Sequence, residues 1–582
     1  MPEQTEKKLT GYPSIDKPWL KYYTEADLAI QVPQCTIYQN IYDRNRDFPE
    51  DIAILYYGNK IRYKTLFSEV EVCAKALRQI GIQPGDCVTL CTAGVPEAIY
   101  LELACSRIGA IANFINPMFT KEQMIDRIND TEAKWIFILD AMYSYIEAAL
   151  PETCVENVVI IPATNSIPPL LSKLMYLKSE ARKNVKNGNG KQRFLRWKDF
   201  SVYSRSFANS PDVPYQPDTP TVMVYSSGST GASKGIVLSN DGILSTIRHY
   251  ISQDFPYDRG DCFLQLVPAW FSTGIVLSIL MPLSLGITVI LEPVYSKESF
   301  AEDLRKYNPQ MTLVGISFWL YVLDTYRDKK LNLSNMKYPA SGGELILPHI
   351  EEAINAFLRR QGSTTQLLTA YGMCELGSTI TTDTDTYHRT GASGYPMIGV
   401  TVAAFDLGTN EEQPYNCRGE LRVNSPARMK GYFKNPKATS KFFLADSKGE
   451  LWGCTGDIGY VDEDGFVYVL GRVTDHFRRE NGEIVFLFDI EAEILKNEAI
   501  SQCKVVDMED NGKKKLVAHL VFQDGVENKE EVISSIWNNL RKALPSYMVP
   551  GYYKIRSSMP VHTNGKRDVG ALKRDKEGLV KT

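Results

Sequence analysis

A glycine- and hydroxyl-rich segment, Tyr225–Gly235 (YSSGSTGASKG), carries the residue types that bind a polyphosphate. Glycines let the backbone come close to phosphate oxygens, while hydroxyl groups and one ammonium add hydrogen bonds and positive charge. The segment follows an apolar run, Thr221–Tyr225, which predicts a strand that ends in the loop. A Walker P-loop is excluded because Lys234 lies between Ser233 and Gly235, whereas that motif needs Gly before the lysine and Ser or Thr after it. A plain Gly/Ser turn remains the alternative.

Further along the chain, short segments carry groups suited to a nucleotide and its metal ion. They are Tyr371–Glu375 (YGMCE), Thr455–Asp457 (TGD), Gly471–Arg472 and Asn564–Lys566 (NGK). Together with Tyr225–Gly235 they occur in the order seen in the adenylate-forming superfamily, which includes acyl-CoA synthetases, the adenylation domains of peptide synthetases and firefly luciferase. The chain resembles this superfamily from about Val32 to Asp568. One such segment is weak evidence, whereas the ordered set favours nucleotide binding.

The resemblance implies a catalytic role for three of these residues, Lys566, Thr230 and Glu375. Glu375 would bind Mg2+, with Thr230 on the metal or the β/γ-phosphates, since Mg2+ prefers hard oxygen ligands and phosphates. Lys566 would span the acyl carboxylate and the α-phosphate of ATP during adenylation. By residue type alone, Glu375 is a surface or helix-capping carboxylate and Lys566 is an exposed lysine, so these roles depend on the resemblance.

The remaining nucleotide contacts are also implied by the resemblance. Asp457 is expected to accept both ribose hydroxyls, and Arg472 to reach the ribose or a phosphate. Tyr371 resembles the aromatic residue that stacks on adenine, and Gly342–Glu344 resembles the turn that lines the base. Read alone, Asp457 is a turn residue beside Gly456. The predicted nucleotide-binding residues are Ser227, Gly228, Ser229, Thr230, Gly231, Lys234, Gly343, Glu344, Tyr371, Gly372, Met373, Cys374, Asp457 and Arg472.

By resemblance, bulky apolar side chains line the pocket for the carboxylic acid. The predicted lining residues are Trp270, Phe271, Phe318 and Gly342. The aromatic side chains fit an ordinary core equally well. Amino-acid-activating relatives carry an aspartate just after the aromatic residue of the first pocket segment, which in this chain contains Trp270 and Phe271. Here Ser272 follows Phe271. Because a buried ammonium without a partner is costly, a fatty or aryl acid is favoured over an α-amino acid.

Some positions depart from the usual pattern of the superfamily. Cys374 stands where threonine is common, and Thr474 stands where many relatives have a charged hinge residue. The loop Asp475–Gly482 is one residue longer than usual. In CoA-using relatives this loop brings its glycine to the pantetheine, so the predicted CoA-side residues are Arg478, Arg479 and Gly482. The two arginines fit solvated charge equally well, and adenylation is therefore better supported than the thiol acceptor.

Strand and helix signals alternate along the N-terminal part of the chain. Strands at Cys87–Cys91 and Trp135–Leu139, with helices between, predict a largely parallel sheet. The expected fold class is α/β: a large N-terminal domain of two βαβ-type subdomains plus a small β-barrel, followed by a small α+β lid. We place an AMP-binding domain at 1–471 and the lid with the catalytic lysine at 472–582.

The composition is that of an ordinary globular protein of 582 residues, 44% hydrophobic and 23% charged, with a net charge of -4. This charge gives no reason to expect nucleic acid. Scattered cysteines and a charged, signal-free start favour a cytoplasmic location. The uncharged stretch Cys262–Leu291 could span a membrane by length, but its Pro and Gly residues predict a strand, a bend, a buried helix and another strand. The Lys- and Arg-rich segment 170–198 is a solvated excursion or a peripheral membrane contact.

These features favour an AMP-forming acyl-CoA synthetase that uses ATP, CoA and Mg2+. The main alternative performs the same adenylation and then loads a carrier protein in trans, since only a short charged tail follows Lys566. An amidase with a Ser/Ser/Lys nucleophile is prompted by Ser226–Ser227, but it leaves Glu375, Asp457 and Lys566 without a role. A nucleotide-binding protein without catalysis is the fourth hypothesis, and it would require Lys566 to be dispensable.

Overall fold

The computed structural model describes residues 9–168, 192–226, 233–252, 255–446, 449–478, 484–510, 513–560 and 568–581. The described residues form two compact units. The N-terminal unit runs to Thr455 and includes Tyr460–Val469, and the C-terminal unit comprises Gly456–Gly459 and the residues from Leu470 onward. The α/β class, with a large N-terminal and a small C-terminal part, is confirmed.

Helices occur in both units. They are α1 (Pro13–Asp16), α2 (Glu25–Ala29), α3 (Ile37–Asn45), α4 (Tyr63–Gln79), α5 (Pro96–Ile108), α6 (Lys121–Asp130), α7 (Tyr143–Ile146), α8 (Trp197–Val202), α9 (Asn240–His249), α10 (Met281–Leu285), α11 (Lys297–Tyr307), α12 (Ile316–Thr325), α13 (Pro348–Arg360), α14 (Pro436–Phe442), α15 (Leu487–Ile494), α16 (Lys529–Ala543) and α17 (Val569–Arg574). A π-helix, Thr273–Leu280, leads directly into α10.

Strands make up most of the remaining regular structure. They are β1 (Ile52–Tyr56), β2 (Asn59–Arg62), β3 (Cys87–Cys91), β4 (Ile111–Phe114), β5 (Trp135–Leu139), β6 (Asn157–Ile161), β7 (Arg193–Arg196), β8 (Pro220–Tyr225), β9 (Gly235–Ser239), β10 (Cys262–Gln265), β11 (Thr288–Leu291), β12 (Met311–Val314), β13 (Tyr338–Gly342), β14 (Leu368–Tyr371), β15 (Thr381–Thr382), β16 (Tyr395–Pro396), β17 (Thr401–Phe405), β18 (Gly419–Asn424), β19 (Gly431–Tyr432), β20 (Phe443–Ala445), β21 (Leu451–Val461), β22 (Val467–Arg472), β23 (His476–Arg478), β24 (Ile484–Phe486), β25 (Ile500–Asp510), β26 (Lys513–Phe522), β27 (Tyr552–Arg556) and β28 (Val580–Lys581).

Two large sheets form the frame of the N-terminal unit. One has nine strands in the order β16-β15-β14-β13-β12-β10-β11-β1-β2, and the other has eight in the order β19-β9-β8-β4-β3-β5-β6-β7. The central strands of both are parallel, whereas β15 and β9 run antiparallel to their neighbours β14 and β8. A smaller antiparallel sheet contains β17, β18, β20, β21 and β22. The C-terminal unit contains the β23–β24 hairpin and a sheet in the order β25-β26-β27-β28.

Helices cover both faces of the two large sheets. The largest apolar cluster joins the inner faces of both sheets through α3, α4, α5 and the π-helix. A second cluster packs α11, α12 and α13 on the outer face of the nine-stranded sheet, and a third packs α6 and α7 on the eight-stranded sheet. Strands buried on both faces are mainly apolar, and β5 (WIFIL) is apolar throughout; this pattern underlies the parallel sheet expected from the sequence.

The uncharged stretch Cys262–Leu291 folds into the N-terminal unit. It forms β10, a bend, the π-helix with α10, and β11, which confirms the order of elements expected from its Pro and Gly residues. Among the described residues, none of the helices combines the length and apolar character needed to cross a bilayer. Most of the basic segment 170–198 lies outside the described residues, so the membrane contact stays a prediction.

A carboxyl group lies within the helical layer between the two sheets. Glu102, in the middle of α5, is 0% exposed. Neither of its carboxyl oxygens has a hydrogen-bond partner among the described residues. Burial raises the pKa of Glu102 to about 8, because a charged carboxylate loses its hydration there. The side chain is therefore mainly protonated at neutral pH.

Replacement of Glu102 tests this assignment. The folded pKa of about 8 exceeds the value of 4.5 for an unperturbed glutamate, so the stability that the bound proton contributes is complete below pH 4.5 and is lost as the pH rises through 8. We expect Glu102→Gln to melt near the wild-type temperature at pH 5 and above it at pH 9. Thermal unfolding at both pH values measures this, with Glu302→Gln on the exposed side of α11 as control. A shift equal at both pH values would contradict the assignment.

Candidate functional site

The two strands that flank the glycine-rich segment hold its ends together. β8 and β9 pair antiparallel, and Tyr225 lies opposite Gly235. Beyond this pair, Ser226 N donates to Lys234 O at 3.0 Å, and Lys234 N donates to Ser226 Oγ at 3.0 Å. The segment therefore leaves and rejoins the sheet at one point. The predicted phosphate-binding residues Ser227, Gly228, Ser229, Thr230 and Gly231 lie outside the described residues.

Lys234 and Glu375 are connected through a tyrosine that the sequence analysis missed. The hydroxyl of Tyr432 donates to Glu375 Oε1 at 3.0 Å. The Lys234 Nζ lies 4.8 Å from the centroid of the Tyr432 ring, within range of a cation–π contact. Burial, together with the nearby Glu375 charge, raises the pKa of Tyr432, so its phenol stays protonated and acts as the donor. The structure thus brings a cation and a buried carboxylate to one tyrosine, the cation over its ring and the carboxylate at its hydroxyl.

Strand pairing explains why Tyr432 occupies this position. β19 pairs antiparallel with β9, so that Tyr432 lies opposite Ile236 at the exit of the glycine-rich segment. Met429 N donates to the backbone oxygen of Glu375 at 2.8 Å, which fixes the Glu375 segment against the residues just before β19. No motif around Tyr432 signals this contact, because it arises from pairing between segments far apart in sequence.

The Tyr371–Cys374 segment passes through a tightly packed part of the N-terminal unit. β14 pairs with β13, where Gly342 lies opposite Ala370. A Cβ atom on Gly342 would lie 2.6 Å from the Ala370 carbonyl oxygen, and one on Gly372 would lie 1.8 Å from the Ser378 carbonyl oxygen. Both positions therefore require glycine. The predicted pocket residue Gly342 and the predicted nucleotide-binding residue Gly372 thus each lie where another stretch of backbone passes very close.

Cys374 has a neighbour that bears on the acid pocket. The Ser272 hydroxyl donates to Cys374 Sγ across 3.0 Å. Ser272 is buried, and it directly follows the predicted pocket residues Trp270 and Phe271. Trp270, Tyr371 and Cys374 pack against the same large apolar cluster. The structure therefore brings the first pocket segment next to the predicted nucleotide segment.

Phe318 lies in a different environment from Trp270. It is buried in the cluster on the outer face of the nine-stranded sheet, with its ring centroid 4.8 Å from that of Tyr295 and 5.9 Å from that of Phe300. Its role as a pocket residue stays a prediction. The structure does not place Phe318 in the cluster that holds Trp270.

Glu344 points to the start of α12. Its carboxylate accepts from Ser317 N at 3.2 Å and from Ser317 Oγ at 3.4 Å. An acidic group at this place is stabilised by the positive end of the helix dipole and by a free backbone N–H group. Glu344 therefore caps the helix that begins just after Gly315, and Gly343 precedes it with a φ of +79°.

The C-terminal unit holds the two predicted ribose contacts. Asp457 lies on β21 and Arg472 at the end of β22, and these strands pair. Arg472 Nε lies 3.1 Å from Asp457 Oδ1; the Asp457 side chain is 10% exposed and that of Arg472 is 53% exposed. Val473 N donates to Gly456 O at 2.8 Å, which holds the chain after Arg472 against β21. The predicted ribose contacts therefore form an ion pair on two paired strands.

Several predicted residues cannot be placed. Lys566, Arg479 and Gly482 lie outside the described residues, and Arg478 marks the end of β23. Their roles stay predictions. Among the described residues, there is no cluster of three or more His, Cys, Asp or Glu side chains arranged to hold a metal ion.

Known proteins with a similar sequence or fold cover nearly the whole chain. The long-chain-fatty-acid–CoA ligase of Bacillus subtilis (strain 168) is 24% identical over 556 residues, which are 94% of this chain and 96% of that protein. 4-Coumarate–CoA ligase 1 of Petroselinum crispum is 26% identical over 482 residues, 80% of this chain and 81% of that protein. The crystal structure of the anthranilate CoA ligase AuaEII in complex with anthranoyl-AMP has the same fold, with a TM-score of 0.77 at 18% identity over 93% of this chain and 97% of that one.

The family assignment rests on the larger part of the chain. Residues 489–566 match the AMP-binding enzyme C-terminal domain, and residues 41–433 match the AMP-binding enzyme family itself. The second match spans both large sheets, the glycine-rich segment, Glu375 and Tyr432. Asn564–Lys566 lies within the first match, whereas Thr455–Asp457 and Gly471–Arg472 lie between the two matches. The chain belongs to the AMP-binding enzyme family.

Proposed function

We propose that this chain is an AMP-forming acid–thiol ligase. A carboxylic acid attacks the α-phosphate of ATP, pyrophosphate leaves, and the thiol of CoA then displaces AMP from the acyl-adenylate. The observation that carries the proposal is the contact series from Lys234 through Tyr432 to Glu375 at the base of the glycine-rich segment. The names of the matched proteins, ligases of long-chain fatty acids and of 4-coumarate with CoA, support it.

The charges of the two substrates define what the protein must supply. A carboxylate approaching a phosphate oxygen at about 4 Å meets a repulsion of roughly 4 kcal/mol per charge pair at an effective dielectric near 20. Donors and cations fixed in advance offset this repulsion without reorganising during the reaction. Lys234 is held beside the segment that would contact the phosphates, and Lys566 is the predicted donor between the carboxylate and the α-phosphate.

The donor set fits magnesium. Mg2+ in nucleotide sites usually takes one or two carboxylates and completes its shell with phosphate oxygens and water. Glu375 supplies one such carboxylate, held in place by the Tyr432 hydroxyl on Oε1. With Thr230 as the second predicted ligand, bound Mg2+ would neutralise charge on the phosphates.

An apolar or aryl acid is the favoured substrate class. Ser272 stands where a carboxylate would be needed to pair with an α-ammonium, and its hydroxyl is bonded to Cys374. Trp270, next to this pair, offers an apolar surface.

The thiol that accepts the acyl group belongs either to CoA or to a carrier protein, and assays of the two half-reactions distinguish these acceptors. We expect pyrophosphate exchange with ATP and a fatty or aryl acid, followed by a CoA thioester when CoA is added. A panel of carboxylic acids of graded length, assayed first for exchange and then for thioester, measures both steps. Exchange without thioester would favour a carrier-protein acceptor, and absence of exchange with every acid would contradict adenylation itself.

Substitutions at Glu375 and Tyr432 test the proposed phosphate and metal contacts. Removing a preorganised charge contact typically lowers kcat by about a hundred- to a thousand-fold, and we expect this for Glu375→Gln together with a higher Mg2+ requirement. Tyr432→Phe keeps the ring beside Lys234 and removes only the hydrogen bond, so a smaller loss in the same direction is expected. Exchange rates titrated with Mg2+ provide the measurement.

A matched control exists elsewhere in the same unit. Tyr307 also donates to a glutamate, Glu292, at 3.0 Å. Tyr307→Phe removes an equivalent bond outside the proposed site and should leave the Mg2+ titration unchanged. Equal effects of Tyr432→Phe and Tyr307→Phe would argue against the site.

A nucleotide that lacks the ribose 2′-hydroxyl tests the proposed role of Asp457. If Asp457 accepts the ribose hydroxyls, wild type should discriminate between ATP and 2′-deoxy-ATP, and Asp457→Asn should lose most of that discrimination. Loss of a hydrogen bond to a charged group, about 1.5–3 kcal/mol, corresponds to roughly a ten- to hundred-fold rise in KM for ATP. Steady-state exchange with both nucleotides measures it. A variant that keeps the full ATP preference would contradict the ribose assignment.

A further inference from the structure

Both ends of the β23–β24 hairpin meet one buried ammonium in the C-terminal unit. Lys504, on the edge strand β25, is 7% exposed. Its Nζ lies 2.5 Å from Asp475 Oδ2 and 3.1 Å from Glu491 Oε1. Asp475 immediately precedes β23, and Glu491 lies in α15, which immediately follows β24. The lysine therefore connects the chain that enters the hairpin to the helix that leaves it.

Two hydrogen bonds from backbone N–H groups reinforce the junction formed by Lys504, Asp475 and Glu491. Leu487 N donates to Asp475 O at 3.0 Å and closes the base of the hairpin. Val505 N donates to Glu491 Oε1 at 2.9 Å, so the glutamate also accepts a hydrogen bond from the backbone of the edge strand β25. The junction thus joins the hairpin base, α15 and the edge strand through side chains of opposite charge.

Charge makes this junction depend on the lysine. Burial by itself lowers the pKa of Lys504, but the charges of Glu491 and Asp475 outweigh burial and raise the pKa above its ordinary value. Lys504 is therefore an ammonium at neutral pH. Without it, two carboxylates would face each other in a poorly hydrated space, and such an arrangement is strongly unfavourable.

We propose that Lys504 is a positioning residue for the thioester-forming half-reaction, because it fixes the direction of the hairpin that carries Arg478, a predicted CoA-side residue. The inference rests on the proposed function. In this role Lys504 itself does not contact a substrate. Adenylate formation, which is assigned to other segments, does not require the orientation of this hairpin.

Separate assays of the two half-reactions test the inference. Lys504→Met keeps most of the side-chain volume and removes the charge. A displacement of about 1 Å at a reacting group can cost roughly a hundred-fold in rate, and we expect a loss of that order in the transfer of a preformed acyl-adenylate to CoA, with a raised KM for CoA. Pyrophosphate exchange should stay at the wild-type rate. Lys504→Arg, which retains the charge, should recover part of the transfer rate.

Lys496 provides the matched control in the same unit. It pairs with Glu493 at 2.5 Å, but its side chain is 70% exposed. Lys496→Met should leave both half-reactions unchanged, because exposed ion pairs contribute little. An equal loss of exchange and transfer in Lys504→Met, or a loss of neither, would overturn the inference.

The experiment remains decisive if Lys504→Met fails to fold. Asp475→Asn and Glu491→Gln each remove one charge of the junction while leaving the lysine paired with the other, and both should lower transfer more than exchange. The same two outcomes that overturn the inference for Lys504→Met apply to these variants. Failure of the proposed function is distinguishable, because it would appear as a wild-type protein that forms no thioester with any acid.

Discussion

The position of β9 between β8 and β19 is the constraint on which the candidate site depends. Pairing of β9 with β8 holds the two ends of the glycine-rich segment, Ser226 and Lys234, together. Pairing of β9 with β19 brings Tyr432 to the same end of β9. A buried carboxylate is stable only with partners, and the Tyr432 hydroxyl is one such partner for Glu375. The two antiparallel pairings that share β9 bring the glycine-rich segment and Tyr432 together, and hydrogen bonds from Met429 N and the Tyr432 hydroxyl add Glu375 as the third part.

The two large sheets make this arrangement rigid. Their inner faces share one apolar cluster, and among the helices between them α5 is buried over nearly its whole length. Polar groups inside such a layer are accommodated in different ways. Glu97 accepts hydrogen bonds from Asn165 and Ser166, whereas Glu102 is mainly protonated because no described group compensates its charge. The frame that positions the site thus contains groups whose ionisation is controlled by burial.

Much of the fold follows from local sequence signals. The bounds of β3 and β5 agree with the predominantly apolar runs at Cys87–Cys91 and Trp135–Leu139, because strands covered on both faces consist mainly of apolar residues. Within Cys262–Leu291, Pro282 lies at the second position of α10 and Gly286 directly follows its end. The site was less accessible to such reasoning. Residue type points to the segment with Lys234 and the family resemblance points to Glu375, but Tyr432 becomes visible only through the pairing of β19 with β9.

Lys504 shows the same limit in the C-terminal unit. A lysine within a strand reads as an exposed position, and nothing near it in sequence indicates Asp475 or Glu491. Residues that cross-link distant segments carry no local periodicity, so their partners follow from the tertiary structure alone. The family resemblance points to the segments with predicted chemical roles, whereas the residues that hold those segments in place follow only from the tertiary structure.

The π-helix Thr273–Leu280 has a consequence for any exchange of acid pockets between relatives. Each of its turns contains more backbone than a regular helical turn, and Gly274 lies so close to Pro268 O that a Cβ would be 2.1 Å away. Regular winding of the same eight residues, with fewer residues in each turn, would change the direction in which the preceding Trp270–Phe271 segment points relative to α10. Grafting aromatic residues from a protein with regular winding at this point would therefore transfer their identities without their directions.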